Sequence, residues 1–211
     1  MQVGIVELME TGHIVLAETI ARIFCSDPHN TVTIYTTGKH AGSLEFLPQR
    51  LPNLKIIGKP EEIDVKAFLQ QAAHTVHDRV YVVTMNRLFS EFAGWQLSSP
   101  LFPVIHNLDE WFGLSPYQRM KKFINAGGKS RDLNSLAYLF KMYFIYPSFK
   151  KKILEKVATT GGKLVVLSEA IRGQLEMLYP GQQSEVIPFT VFDPSLARTD
   201  SDRTSPLRIC V

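Results

Sequence analysis

The apolar positions of the chain follow two rhythms. Seven short runs have strand length and are rich in β-branched residues: "QVGIVEL" (2–8), "NTVTIYTT" (30–37), "LKIIG" (54–58), "DRVYVVTM" (78–85), "LFPVIH" (101–106), "KLVVL" (163–167) and "SEVIP" (184–188). Between them, apolar residues recur every third or fourth position. "GHIVLAETIARIF" (12–24) sets Ile14, Ala17, Ile20, Ala21 and Phe24 on one helical face. "IDVKAFLQQAAHTVH" (63–77) and "RLFSEFAGWQL" (87–97) also read as helices. A longer helical region covers 115–125 and 132–158, broken at "NAGGKS" and expected to bend at Pro147. "SEAIRGQLEML" (168–178) opens with Ser168, a natural N-cap.

Strands that alternate with helices pair in parallel, with helices on both faces. The unbroken apolar stretches Val80–Val83 and Leu164–Leu167 fit strands buried on both sides. The expected fold is therefore α/β: a Rossmann-like, doubly wound, mostly parallel sheet flanked by helices. "FDPSLARTDSDRTSP" (192–206) is polar and Pro-bounded, like a linker, and "LRICV" (207–211) begins a fresh strand. The division this predicts is a main domain over 1–195, a linker over 196–206, and the truncated first strand of a further domain over 207–211.

Composition narrows the class. At 45% hydrophobic residues the 211-residue chain can bury a full core. No run reaches the ~20 apolar residues of a membrane span, and the start lacks the basic region and apolar core of a signal peptide. Cys25 and Cys210 lie far apart, which fits a reducing, cytoplasmic setting. The net charge is only +3, yet the segment 116–163 carries eleven Lys/Arg against Asp132 and Glu155. That imbalance suggests a polyanionic surface as partner; the alternative is a solvated helical face. "LAYLFKMYFIYPSFKKKILEKV" (136–157) has the aromatic and Lys composition of an interfacial helix, but Ile145, Phe149, Ile153 and Val157 are spaced as a core stripe, which favours packing slightly.

Ligands of open α/β sheets sit at the carboxyl ends of the strands. Here those ends carry "METGH" (9–13), "TMNR" (84–87) and "HNLDE" (106–110). Parallel topology predicts that they form one pocket lip, with Glu10, Thr11, Gly12, His13, Thr84, Asn86, Arg87, His106, Asn107 and Asp109 as candidate ligand residues. Trp111 beside them offers an apolar face for stacking, with core packing as the alternative. G-x-G-x-x-G is absent after the first strand, and the second strand ends in Thr36-Thr37 rather than an acidic residue, so a dinucleotide fingerprint is missing. A phosphate-loop motif and a G-x-S-x-G nucleophile elbow are absent as well. His74 and His77, three apart on an expected helix, have a metal-capable spacing but no third ligand, and read as a helix-surface pair.

Three stretches resemble the retaining GT-B glycosyltransferases of the family 4 type. "TGHIVLAETIARIF" looks like that family's first loop and helix, and "PVIHNLDEW" like its strand end bearing a His. "KLVVLSEAIRGQLEMLYPGQQSEVIPFTVFDP" is similar to its closing strand, Ser-Glu helix start and linker approach. The first loop departs from the family's Gly-Gly, having Gly12 alone, and Asn107 replaces the usual Asp. The resemblance implies the N-terminal, acceptor-side half of a transferase, inactive alone. A nucleotide-sugar donor would bind mainly on a further domain, and the acceptor would be a glycan or a lipid-linked molecule. His106 would be the catalytic residue, hydrogen-bonding the donor sugar or its leaving phosphate. The expectation includes no resident cofactor, no metal and no nucleic acid. Its localisation is cytoplasmic and peripheral to the inner leaflet through 116–163. The competing expectation is a stand-alone, non-catalytic α/β ligand-binding or scaffold domain.

Overall fold

The computed structural model describes residues 1–9, 13–106, 108–111, 115–127 and 133–187, without the side chains of Asp109 and Glu110. Seven parallel strands form one sheet, in the order β3-β2-β1-β4-β5-β6-β7. They are β1 (Gln2–Glu7), β2 (Thr31–Thr37), β3 (Leu54–Lys59), β4 (Arg79–Val82), β5 (Leu101–Ile105), β6 (Leu164–Val166) and β7 (Ser184–Val186). The Rossmann-like, doubly wound α/β fold is thus the one the alternating pattern predicts. Chain order reverses between β1 and β4: β1 pairs on one side with β2 (Ile5 beside Ile34) and on the other with β4 (Ile5 beside Tyr81).

Two apolar layers sandwich the sheet. One face, with Val3, Ile5, Val32, Ile34, Tyr81 and Val165, packs against α1 (Ile14–Cys25), α2 (Gly38–Ser43) and α3 (Leu47–Arg50). The opposite face, with Val6, Val82, Leu101, Ile105, Leu164 and Val166, packs against α4 (Val65–Ala73), α5 (Phe89–Gly94), α9 (Tyr146–Thr160) and α10 (Glu169–Leu178). Helices between strands that run leftward from β1 lie on one face, and those running rightward lie on the other, as right-handed crossovers require. Lys156 ties α9 to the end of α5. Its ammonium donates to the carbonyls of Phe92 (3.0 Å), Ala93 (3.3 Å) and Trp95, and burial pulls its pKa down. Gly161 closes α9 at φ 73°, and a Cβ on Gly162 would run into the Leu101 carbonyl.

Several local expectations need correction. The helix read over 63–77 ends at Ala73, so His74 and His77 are not a helix-surface pair. His74 is the exposed C-cap, whereas His77 is buried and shares a 3.1 Å hydrogen bond with the Tyr35 hydroxyl. Among the described residues no group of three or more His, Cys, Asp or Glu is placed to hold a metal. The helices α2 and α3 occupy 38–50, where the apolar pattern is too short to announce them. Thr37 starts α2 by accepting the His40 backbone N–H on its side chain. Ser168 does cap α10, accepting from Ile171 N at 3.2 Å.

The long helical region consists of α7 (Pro116–Gly127) and α8 (Leu133–Phe140), followed by a π-helical stretch, Lys141–Ile145, that leads into α9. Pro147 lies in the first turn of α9, where its missing N–H breaks the regular ladder just behind the widened turn. The buried stripe of α9 is Tyr146, Lys150, Ile153 and Val157, so the core reading of this helix holds for Ile153 and Val157 and, half-buried against the same core, Phe149, but not for Ile145. No described helix is long and apolar enough to cross a membrane. The linker and truncated strand expected at 196–211 lie outside the described residues.

Candidate functional site

At the carboxyl edge, β1 ends in a carboxylate. Glu7 has no exposed surface. Its Oε1 accepts from Met9 N at 2.9 Å, and its Oε2 accepts from His13 N at 3.2 Å and from the Thr84 hydroxyl at 2.5 Å. Thr84 follows β4, so one carboxylate joins the ends of β1 and β4 and folds the chain after β1 back to the start of α1. The Glu7 backbone carbonyl accepts from Thr36 Oγ1 at 2.8 Å, and His40 Nε2 donates to the Met9 carbonyl at 3.0 Å. The second strand and α2 are thereby fastened to the same loop. Burial pushes the Glu7 pKa up, and the three donated hydrogen bonds partly oppose it.

Two imidazoles meet above this latch. His13 precedes α1 and His106 follows β5; their rings stack with centroids 4.2 Å apart and planes at 23°. His106 Nε2 donates to the Val83 carbonyl at 2.8 Å. That bond places a proton on Nε2 and leaves Nδ1 as the ring atom not engaged by it. His13 is exposed and His106 half-buried, so the pair forms a wall open to solvent. Among the described residues, the N-cap His13 does not cap α1 with its own side chain, and no acidic residue stands in the first turn. The positive end of the α1 dipole starts at His13.

The predicted lip is partly present. His13, Thr84 and His106 converge, although they come from three separate strand ends. Thr84 is buried and its hydroxyl is spent on Glu7, which makes it a positioning residue. Asn86 is exposed. Arg87 adopts a left-handed φ of 65° and lays its guanidinium 5.3 Å from the centre of the Tyr138 ring in α8, reaching away toward that helix. Trp111, in the short helix α6 (Leu108–Trp111), is buried and meets Phe89 edge-on at 5.7 Å, so it belongs to the core and offers no stacking face to a ligand. Glu10, Thr11, Gly12, Asn107 and the Asp109 side chain lie outside the described residues. Sequence reasoning missed Glu7 and His40. The signal for Glu7 was a carboxylate closing an otherwise apolar strand, level with a Thr that closes the neighbouring one.

No family model matches the chain, and no curated protein matches it. Among solved structures, it is similar to a short chain dehydrogenase/reductase from Saccharomyces cerevisiae. That match has 14% identity, covers 80% of this chain and 53% of the yeast chain, and has a TM-score of 0.37. It is also similar to a putative short-chain alcohol dehydrogenase from Burkholderia multivorans, with 13% identity, 90% of this chain, 96% of that one and a TM-score of 0.32. This chain thus spans about half the length of the yeast protein. These neighbours are dehydrogenase-type proteins and not GT-B glycosyltransferases. The glycosyltransferase family, the transferase activity and the GT-B half-architecture expected from the three sequence stretches are therefore withdrawn. A strand end bearing His and a Ser-capped helix recur wherever a parallel α/β sheet is wound, which is why the stretches misled. At these TM-scores the neighbours supply no activity in place of the one withdrawn.

Proposed function

We propose that the chain is a ligand-binding Rossmann-like domain. Its ligand is a small, hydroxylated, phosphate-bearing molecule held at the carboxyl edge between β1 and β4. The observation that carries this reading is the stacked His13–His106 pair, placed at the point where strand order reverses. Crevices of this kind are where open α/β sheets take their ligands. The chemistry fits an anion with hydroxyls. The positive end of the α1 dipole attracts negative charge. A ring N–H of His13 donates to a phosphate oxygen, and His106 Nδ1 hydrogen-bonds a hydroxyl. Glu7 stays behind the wall as the group that sets the loop. The described cysteine, Cys25, is buried and unpaired, which supports work in a reducing compartment.

Calorimetric titration with ribose 5-phosphate, ribose and inorganic phosphate tests the reading. Ribose 5-phosphate should bind more tightly than either part, and His106→Ala should weaken it about three- to tenfold, the cost of one neutral hydrogen bond. The melting temperature should change little. Equal binding by wild type and His106→Ala would overturn the assignment.

A further inference from the structure

The helix α7 faces the wrong way for a helix that only stabilises the core. It has no buried residue. Tyr117, Met120 and Ile124 share one side at spacings of three and four, and they are 76%, 47% and 62% exposed. The adjoining side makes the attachment: Phe123 packs against Phe140 and Phe144 at 6.3 and 5.4 Å. Leu133, at the start of α8, extends the exposed apolar area at 81% exposure. Lys121 is exposed beside the stripe, while Lys122 and the half-buried Arg119 lie on the far side of the helix. Between Pro116 and Leu154 the sequence holds nine Lys/Arg against a single carboxylate, Asp132.

We infer that α7 is a membrane-surface helix. It lies flat on an anionic phospholipid leaflet, with Tyr117, Met120 and Ile124 among the acyl chains near the headgroups and Lys121 against the phosphates. Charge complementarity selects this occupant. An apolar stripe edged with Lys is the pattern of helices that rest in the interface. A second copy of this chain would bring the same positive segment face to face with itself, and like charges oppose that pairing. The inference goes beyond ligand binding at the rim and does not depend on it.

Flotation with vesicles tests it, using the whole 211-residue chain. Wild type should float with phosphatidylcholine vesicles containing phosphatidylglycerol and stay behind with phosphatidylcholine alone. Added salt should release it. Lys121→Gln should lower the partition coefficient about fivefold, the contribution of one basic residue at the surface, and Lys122→Gln should lower it less. Ile124→Glu should lower it by more than about tenfold. All these positions are exposed, so unchanged circular dichroism and melting temperature should accompany the loss. Failure to float, equal flotation with neutral vesicles, or flotation that survives Ile124→Glu would each overturn the inference. So would a wild-type dimer in solution that Ile124→Glu converts to monomer, since the stripe would then be an interface between copies.

Discussion

Helices α1 and α7 are each twelve residues long, and each carries an apolar stripe at helical spacing, yet the two stripes have opposite fates. In α1, Leu16, Ala17, Ile20 and Ala21 are buried against Val3, Ile5, Val32 and Ile34 of the sheet. In α7, Tyr117, Met120 and Ile124 look outward, and one Phe on the adjoining side makes the attachment. Periodicity therefore announces a helix and leaves open what the apolar side meets. What separates the two is the flanking chemistry. Small alanines in α1 allow close approach to the sheet, while α7 sets Lys121 beside its stripe of larger side chains.

The largest effects should come from the packed stripe. Ile20→Ala should cost about 2–4 kcal/mol, because it empties a fully buried site. Ile124→Ala should stay within about 0.5 kcal/mol. Chemical denaturation of both variants checks the pair, and similar losses would break the comparison.

Next in size is the latch. Thr84→Val removes the hydroxyl that Glu7 Oε2 accepts from and leaves a buried carboxylate with one donor fewer. The expected loss is about 1–3 kcal/mol at neutral pH. Glu7 also gives stability a pH dependence. Its folded pKa is raised above the ordinary 4.5, so the folded state holds the proton more tightly than the unfolded chain does. The Glu7 contribution to stability is fully present below that ordinary value and is lost as pH rises through the elevated one. In denaturation series run from pH 4 upward, Glu7→Gln should flatten this decline. An unchanged slope would remove Glu7 as its source.

The smallest effect is at Arg87. Its left-handed φ of 65° disfavours any residue with a Cβ. Arg87→Gly should therefore be more stable than Arg87→Ala by about 1 kcal/mol, measured by thermal melting.

Much of the fold was legible in the chain because its strands are continuous and its helices long. Val80–Val83 and Leu164–Leu167 read as strands buried on both faces, and Ser168 read as a cap, each for reasons that stay within a few residues. The site was legible only in outline. Parallel winding put the ends of β1, β4 and β5 together, which located His13 and His106 on one edge. It could not say that Thr84 would be taken by Glu7, since that bond spans 77 positions. Nor could it tell whether Trp111 would turn toward a ligand or toward Phe89. An aromatic next to a polar strand end is compatible with both, and packing across the chain decides. The transferase resemblance rested on features that any wound α/β sheet repeats, so it carried the fold and not the reaction.

The central claim is that the two stacked imidazoles are a ligand wall. The measurement that meets it most directly follows the histidine ring signals by NMR while ribose 5-phosphate is added. The rings of His13 and His106 should shift together along one saturable curve. Those of His29 and His74, exposed and away from the carboxyl edge, should stay in place and serve as controls. Stationary His13 and His106 signals, or shifts of equal size at all four rings, would contradict the account.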